Sequence, residues 1–317
     1  MTSLTPPPTT RREALETAGR ERREGQTIGG AGRLVRYANF VKLPHTVFAL
    51  PFALVGVTLA SYRASISIGR IGWVVLAFTA ARFTAMGFNR IVDRQFDALN
   101  PRTALRELPS GVMGGGEAWA LVLVAGGLFE FATWRINTLC FALSPVAITW
   151  VCFYSYTKRF TRWSHLALGL GLGIAPVGGY LAITGRWGEP WWMLVALAGG
   201  VMCWTAGFDI LYALQDIDFD RENALHSLPA SLGVRPSLLV ARVLHGCTVL
   251  LLGAVGAATG AGPLYFGGVA VAAALLAYEH SLVNADDVSK IDKAFFTVNM
   301  TLSSVFLAFV LAERLFR

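Results

Sequence analysis

The chain has 317 residues, of which 54% are hydrophobic and 15% are charged, and its formal net charge is +7. A soluble protein of ordinary composition carries roughly a quarter charged residues, and the mean hydropathy here is +0.52. The composition therefore excludes an ordinary soluble domain and predicts an integral membrane protein. The excess positive charge lies in the N-terminal tail and in short loops between apolar runs, where membrane topology accounts for it. We therefore expect no nucleic-acid partner.

Residues 1–35 form a region of their own. They are rich in Pro, Thr, Gly, Arg and Glu, with three consecutive prolines at positions 6–8, and they bury too little apolar surface to fold alone. We expect a disordered, basic tail on the cytoplasmic side, followed by a transmembrane domain over residues 36–317.

Nine apolar runs follow the tail, most of them close to the ~20 residues that cross a hydrocarbon core as a helix. None alternates in polarity as the strands of a membrane barrel do, so each is predicted to be a helix. The predicted fold is all-α, with nine transmembrane helices in a single bundle. The runs cover residues 44–62, 71–90, 117–134, 138–156, 164–183, 190–212, 236–258, 263–282 and 294–313.

The loops between the runs set the predicted orientation. Most of their Arg and Lys residues fall on the side that also carries the N-terminus. Because cytoplasmic loops are enriched in these residues, we place this side in the cytoplasm and the C-terminus outside.

The two longest cytoplasmic loops, residues 91–116 and 213–235, resemble each other. Each begins with acidic residues where a helix ends, and each continues into a Leu-Pro string with a following serine. The loops lie four helices apart on the same side of the membrane. A parallel internal repeat of helices one to four and five to eight would explain this pattern.

The first of these loops carries a candidate metal site. Asn89, Asp93 and Asp97 are four residues apart, which would align them on one face of a helix. Neighbouring carboxylates repel each other unless a cation joins them. Hard oxygen donors favour Mg²⁺, which keeps coordination sites for water and phosphate oxygens. We therefore predict that Mg²⁺ binds here.

Asp209, Asp216 and Asp220 repeat this arrangement at the second loop, again on one predicted helical face. Asp209 falls inside an apolar run, where an ionisable side chain is costly and is therefore a functional candidate. Asp218 lies on another face and is expected to be solvated. Two such clusters at matching places are poorly explained as ordinary surface acids.

Basic residues accompany both acidic clusters. Metal ions and guanidinium groups together neutralise a diphosphate, so a diphosphate is the predicted ligand. The basic residues are Arg90, Arg94, Arg102, Arg106, Lys158 and Arg159.

A cation-coupled secondary transporter is the rival interpretation, because intramembrane acids and an internal repeat also suit transport. The acids lie at one membrane face rather than at the midplane, which favours an enzyme.

Several other residues have simpler expected roles. Glu130 and Glu279, near the ends of their runs, are expected to reach water, and the histidines to be interfacial or packed. The glycines of the fifth run are expected to allow close helix packing, or alternatively to line a substrate tunnel. These glycines are Gly169, Gly171, Gly173, Gly178 and Gly179.

Taken together, the motifs resemble those of the UbiA superfamily of intramembrane aromatic prenyltransferases. Residues 89–111 are similar to its first signature, residues 209–220 to its second, and residues 154–159 to the Tyr-x-x-x-Lys element between them. The resemblance covers nearly the whole chain except the tail. The strings Asn-Pro-Arg-Thr and Tyr-Ala-Leu-Gln-Asp favour the branch of the 4-hydroxybenzoate polyprenyltransferases.

The resemblance implies a nine-helix bundle with a cavity that opens to lipid, in the inner membrane of a bacterium. The implied reaction is Mg²⁺-dependent transfer of a polyprenyl group from polyprenyl diphosphate to a small aromatic acceptor in ubiquinone or menaquinone synthesis. The expected acceptor is 4-hydroxybenzoate, and a naphthoate is the alternative.

The resemblance also assigns roles to residues. One Mg²⁺ is expected on Asn89, Asp93 and Asp97, and a second on Asp216 and Asp220. Asp209 would line the cavity near the acceptor, and Arg82 would meet an acceptor carboxylate. Aromatic faces for an allylic cation would come from Tyr154 and Tyr212. Diphosphate binding falls to Arg102, Arg106, Lys158 and Arg159.

Overall fold

The computed structural model describes residue 28 and residues 32–284, 288 and 290–317. The predicted tail lies largely outside the described residues, at positions 1–27 and 29–31. Within the described ranges the chain forms helices and no strand. The helices are α1 (Arg33–Phe40), α2 (Thr46–Ala60), α3 (Ile68–Val92), α4 (Arg94–Leu99), α5 (Gly115–Ile136), α6 (Thr138–Thr157), α7 (Ser164–Thr184), α8 (Trp192–Ala213), α9 (Ile217–Glu222), α10 (Leu228–Leu232), α11 (Val234–Thr259), α12 (Pro263–Leu282) and α13 (Asn299–Phe316).

Seven segments of the described chain are long and apolar enough to cross a membrane, which confirms an all-helical integral membrane protein. They contain α3, α5, α6, α7, α8, α11 and α13. The other two predicted runs coincide with α2 and α12. The first of these helices has 15 residues and contains Pro51, and neither is among the seven. The number of nine crossing helices therefore stays a prediction.

The long helices form two groups joined through α2. On one side α3 packs along α5, and α6 packs against α5 and α7; on the other side α8 packs along α11, and α12 packs against α11 and α13. Helix α2 contacts α7 and α13, and α7 contacts α8. Both acidic loops thus connect two helices that pack tightly along each other.

A single residue, Asn137, separates α5 from α6. Its side-chain oxygen accepts a hydrogen bond from the Cys140 N–H (2.8 Å), which satisfies a backbone donor at the start of α6. Its amide nitrogen donates to the Leu181 carbonyl of α7 (3.0 Å). The connection thereby also ties the α5–α6 hairpin to α7.

Glycines bring α7 close to its neighbours. A methyl group at Gly179 would overlap the Ala53 carbonyl of α2, and one at Gly173 would lie 2.6 Å from the Ala198 carbonyl of α8. Gly169 meets α8 in the same way. The predicted close packing is confirmed at these three positions.

A buried polar cluster joins α8, α11, α12 and α13. Trp204 Nε1 donates to Asn299 Oδ1 (2.6 Å), and Asn299 Nδ2 donates to Glu279 Oε1 (2.9 Å). His245 Nδ1 lies 3.0 Å from His280 Nε2. Glu279 is 0% exposed, so the expectation that it reaches water was wrong. Neighbouring helices surround it, and an amide from α13 satisfies one of its oxygens.

Candidate active site

The first acidic cluster lies where α3 ends. Asp93 ends α3 with φ −91° and ψ 5°, and α4 begins at the next residue. The helix predicted over Asn89, Asp93 and Asp97 is therefore interrupted at Asp93. The hydrogen-bond ladder continues through the break, because the Asp93 N–H donates to the Asn89 carbonyl (2.9 Å) and the Asp97 N–H to that of Asp93 (2.8 Å). The three side chains consequently stay on neighbouring turns.

Asp93 is the most accessible acid of this cluster. Asn89 Nδ2 donates to its Oδ2 (2.8 Å), and Arg159 Nη2 lies 3.5 Å from its Oδ1. Arg159 also donates to the Val92 carbonyl (2.8 Å). Burial first and the nearby Asp97 carboxylate second raise the pKa of Asp93 to about 6, against the opposing effect of Arg159. A cation placed between the two carboxylates would remove their repulsion.

Asp97 is 6% exposed and is held by arginines. Arg106 Nη1 lies 2.6 Å from its Oδ1, and Arg90 Nη1 lies 3.9 Å from its Oδ2. In the described part of the chain, Oδ2 accepts no hydrogen bond. A buried carboxylate oxygen without a donor is available to a metal ion.

The second cluster also departs from a single helix. Asp209 belongs to α8, Asp216 ends a 3-10 turn that follows α8, and Asp220 lies in α9. The predicted helical segment runs through all three acids, but it tightens into a 3-10 turn before α9 begins. Asp218 is exposed, as expected.

Asp216 joins the two acidic loops. Arg102 of the first loop binds it in a bidentate pair, with Nη2 2.6 Å from Oδ2 and Nε 3.2 Å from Oδ1. Asn100 Nδ2 adds a hydrogen bond of 3.1 Å to Oδ1. Arg102 Nη1 also donates to the Tyr212 hydroxyl (3.1 Å). Asn100 was not singled out from the sequence as a site residue, although it belongs to the Asn-Pro-Arg-Thr string that favoured the family branch.

Asp220 is paired with the end of α6. Lys158 Nζ lies 2.9 Å from its Oδ1, and the carboxylate is buried. Its Oδ2 has no hydrogen-bond partner among the described residues, which again leaves a hard oxygen available. The backbone N–H of His226, on the loop after Asp220, donates to the Lys158 carbonyl (2.7 Å). The Tyr-x-x-x-Lys element is thus fastened to the second acidic loop.

The predicted acidic and basic residues therefore form ion pairs with each other. Each of the four carboxylates assigned to metal lies beside a cation that comes from another element or loop. Among the described residues, no three acidic, His or Cys side chains converge to hold a metal ion alone. A Mg²⁺ ion at either cluster would therefore take part of its coordination from water or from phosphate oxygens, as Mg²⁺ generally does. The donor set fits the predicted metal on that condition.

Asp209 has a partner that the sequence did not predict. His165 Nδ1 lies 2.6 Å from Asp209 Oδ2, and His165 is 1% exposed. The two residues are 44 positions apart, so no local spacing could have indicated the pair. His165 is packed, as one of the two expectations for the histidines stated.

An apolar cavity of about 240 Å³ lies next to the acidic clusters, between α3, α5, α6 and α7. Arg82 and Tyr154 line it, as do Gly171 and Gly178; that this cavity is the substrate tunnel of the alternative role stays a prediction. Along α6 its lining extends from Tyr154 to Cys140, about 21 Å at ~1.5 Å per residue. Its polar end faces the acids, because Tyr154 lies within electrostatic reach of Asp93 and Asp209.

The fold and site define an integral membrane protein with paired acidic loops at one end of a long apolar cavity. The chain belongs to the UbiA prenyltransferase family, whose pattern it matches over residues 49–305. It is therefore a prenyltransferase, which decides against the transporter alternative.

Individual relatives agree with this assignment. The chain is 31% identical over 245 residues to the 4-hydroxybenzoate octaprenyltransferase of Edwardsiella ictaluri, covering 76% of this chain and 84% of the relative. The apo structure of a UbiA homologue from Aeropyrum pernix matches with a TM-score of 0.77 and 30% identity, covering 84% of this chain and 97% of the other. A UbiA homologue from Archaeoglobus fulgidus, solved with DMAPP and Mg²⁺, matches with a TM-score of 0.70. Its 19% identity, over 88% of this chain and 98% of the other, supports the shared fold.

Proposed function

We propose that the chain transfers a polyprenyl group from polyprenyl diphosphate to an aromatic acceptor, 4-hydroxybenzoate, in quinone synthesis. One observation carries the proposal: the Arg102–Asp216 pair joins two acidic loops, and an apolar cavity about 21 Å long by helix rise begins at Tyr154, within electrostatic reach of Asp93 and Asp209. An isoprenoid chain fits the apolar part, and its diphosphate fits the charged end. A naphthoate acceptor is the alternative within the same class.

Mg²⁺ is the proposed cofactor. Asn89, Asp93 and Asp97 would hold one ion, and Asp216 and Asp220 a second. When bound, the ions act as Lewis acids that stabilise the negative charge of the departing diphosphate. The oxygens of Asp97 and Asp220 that lack hydrogen-bond donors in the described chain support this assignment.

The basic residues around the acids would bind the diphosphate. Arg102, Arg106, Lys158 and Arg159 each lie beside one of the four carboxylates. A diphosphate that entered with metal ions would accept hydrogen bonds from these Arg and Lys side chains once they leave the carboxylates. These cations are already fixed in place, so their stabilisation of developing charge requires little rearrangement.

The acceptor would bind at the cavity end of the site. Arg82 lines the cavity and would pair with the acceptor carboxylate, and Asp209 would face its hydroxyl group. Tyr154 lines the cavity, and Tyr212 stacks on Phe295 with ring centroids 4.3 Å apart. The two rings would face the allylic cation, which aromatic faces attract, and the dry cavity would keep water from it.

We also propose that α2 and α12 cross the membrane, which gives nine crossings and the parallel repeat. The tight packing of α3 along α5 and of α8 along α11 supports the repeat, because each pair flanks one acidic loop. We also propose that the acidic loops and the tail lie on the cytoplasmic side, which the basic residues of the loops support, and that the membrane is a bacterial inner membrane, which the bacterial source of relatives such as that from Edwardsiella ictaluri supports.

Membranes containing the protein test the proposal when they receive Mg²⁺, a long-chain prenyl diphosphate, and 4-hydroxybenzoate or a dihydroxynaphthoate. We expect mass spectrometry to detect prenylated 4-hydroxybenzoate, and EDTA to abolish it. If only the dihydroxynaphthoate gave a prenylated product, the proposed acceptor would change from 4-hydroxybenzoate to a naphthoate. No product from either, with folded protein, would contradict the proposed acceptor class.

A further inference from the structure

His165 lies in the first turn of α7, and both of its ring nitrogens contact protein groups. Nδ1 lies 2.6 Å from Asp209 Oδ2 of α8, and the backbone N–H of Leu228 donates to Nε2 (3.3 Å). His165 contacts none of the carboxylates assigned to metal. A buried histidine with these two contacts holds a fixed ring orientation.

The two contacts define which ring nitrogen donates. A backbone N–H can only donate, so Nε2 must accept the hydrogen bond from Leu228. Nδ1 is then the ring nitrogen that donates a hydrogen bond to Asp209 Oδ2. The pair therefore holds one carboxylate oxygen of Asp209 in place.

The other carboxylate oxygen of Asp209 has no such partner. Within the described part of the chain, the hydrogen bond to Asp209 comes from His165 and involves Oδ2. The Asp209 side chain nevertheless remains 26% exposed, although it belongs to a membrane-spanning helix. A carboxylate inside a membrane-spanning helix costs free energy, so it is a candidate to bind a ligand.

The surroundings of Asp209 indicate which group would donate a hydrogen bond to Oδ1. Tyr154, which lines the apolar cavity, lies within electrostatic reach of both Asp209 and Asp93. Asp209 and the first acidic cluster therefore both lie near Tyr154 at the polar end of the cavity, where the acceptor is predicted to bind. A carboxylate oxygen accepts hydrogen bonds, and the group of an aromatic acceptor that can donate one is its phenolic hydroxyl.

We propose that His165 is a positioning residue that orients Asp209, so that Asp209 Oδ1 accepts the hydrogen bond from the acceptor hydroxyl. The inference rests on the proposed prenyl transfer to an aromatic acceptor. His165 itself touches no substrate, and its effect is transmitted through the fixed oxygen of Asp209.

A purely structural role for His165 predicts a different pattern. Leu228 begins α10, shortly after the loop that carries Asp220, and the same loop is fastened to Lys158 through His226. If His165 only anchored this loop, its loss would disturb the diphosphate end of the site. The Michaelis constant for the prenyl diphosphate would then rise along with that for the acceptor.

The test compares His165→Leu, His165→Gln, Asp209→Asn and the double variant His165→Leu/Asp209→Asn, each reconstituted in lipid with Mg²⁺. We expect His165→Leu to lower kcat/KM for the acceptor by about 10- to 100-fold, the usual effect of losing a group that orients a functional ligand. The KM for the prenyl diphosphate should stay within about twofold. Glutamine keeps an N–H donor and should restore most of the activity.

The double variant decides whether the two residues act together. If His165 works through Asp209, removing it in the Asp209→Asn background should cost little more, because contacting residues that share one role are not additive. Additive losses, wild-type kinetics in His165→Leu, or an equal rise of both KM values would overturn the inference.

A binding measurement separates this inference from the proposed function. The melting temperature with Mg²⁺ and pyrophosphate is recorded as 4-hydroxybenzoate is added to wild type and to His165→Leu. Absence of product from wild type contradicts the proposed function. The inference is judged on acceptor binding, which His165→Leu should weaken and His165→Gln should retain; equal binding by all three proteins would contradict it.

Discussion

Three of the four acids of the metal-binding proposal are paired with a cation from a distant part of the chain. The Arg102–Asp216 pair joins residues 114 positions apart, and the Lys158–Asp220 pair joins residues 62 positions apart. Both carboxylates are buried, and breaking a buried pair by removing one partner costs about 3–5 kcal/mol. The Arg102–Asp216 pair therefore holds the two acidic loops together, and the Lys158–Asp220 pair ties the second loop to the end of α6.

Asp220 and Asp218 provide a matched comparison within α9. Asp220 is 0% exposed and paired with Lys158, whereas Asp218 is exposed. We expect Asp220→Asn to lower prenyl transfer by on the order of 100-fold or more, the scale of losing one group from transition-state electrostatics. Asp218→Asn should retain activity within about twofold, as surface substitutions usually do. Initial rates on equal amounts of folded protein measure both, and equal losses would contradict the assignment.

The cation at each carboxylate also predicts how Mg²⁺ and diphosphate bind. A metal ion that enters alone must displace a basic side chain from its carboxylate, and that side chain is then left without an anion. The side chains concerned are Arg102, Arg106, Lys158 and Arg159. Pyrophosphate supplies that anion, so the two ligands should bind cooperatively. We expect the melting temperature to rise more with both than the sum of the two separate rises, because each ligand stabilises the state that the other binds. Strictly additive shifts would contradict this exchange.

At the residue scale, the sequence predicted the acids but not their partners. The spacing of Asp93, Asp97, Asp216 and Asp220 is a local pattern, and the structure brings these residues into two neighbouring loops. The pairs Arg102–Asp216 and His165–Asp209 depend on how distant helices pack, so no spacing could reveal them. The four-residue spacing also gave no sign of the break at Asp93, because the hydrogen-bond ladder continues through it.

At the element scale, the glycines of α7 have two roles. Gly179 and Gly173 let the backbones of α2 and α8 approach; Gly171 and Gly178 line the cavity, and Gly179 also contributes to its wall. Small residues at helix interfaces allow this close approach in membranes, where packing replaces the hydrophobic driving force. The sequence offered both roles for the glycines but could not divide them, because the facing helices were unknown.

Substitutions at Gly179 and at the adjacent Gly178 distinguish these two roles. A methyl group at Gly179 would overlap the Ala53 carbonyl, whereas one at Gly178 would have no atom within 4 Å. We expect Gly179→Ala to destabilise the protein by about 1–3 kcal/mol, the usual cost of overpacking. Gly178→Ala should leave stability unchanged. Melting temperatures in one detergent provide the measurement; equal values for the two variants would show that α2 can move away from α7.

Helix existence was predicted well, and helix ends and buried charges less well. All nine apolar runs coincide with helices, since length and hydropathy are local properties. The burial of Glu279 was missed because its partners, Asn299 on α13 and the neighbouring His280 and His245, only meet when α8, α11, α12 and α13 pack. In that position Glu279 connects helices of the second group rather than reaching water.

At the scale of the whole molecule, the two acidic loops are alike but the helices behind them are not. The apolar cavity lies among α3, α5, α6 and α7. The second group is filled by large buried side chains, including Trp204, Tyr265 and Phe306, and by the Glu279 cluster. An apolar cavity is therefore found in the first group of helices, and this is where we place the long apolar substrate.

This asymmetry predicts that the far part of the cavity sets the prenyl chain length. Gly178 lines the cavity ten residues beyond Leu168 on α7, about 15 Å further along the helix. A Gly178→Phe side chain would fill open space at that depth and leave the charged end intact. We expect kcat/KM with a long-chain prenyl diphosphate to fall by about 10- to 200-fold, the range in which apolar pockets discriminate by size.

A short prenyl diphosphate, geranyl diphosphate, should be used by Gly178→Phe almost as well as by wild type, because its chain ends before the new ring. Gly178→Ala is the control, and it should accept both chain lengths. The ratio of the two kcat/KM values, measured in the same vesicles, isolates the effect on length from any effect on folding. An equal loss with both substrates would mean that the prenyl chain does not extend along α7, and would move its path to another side of the bundle.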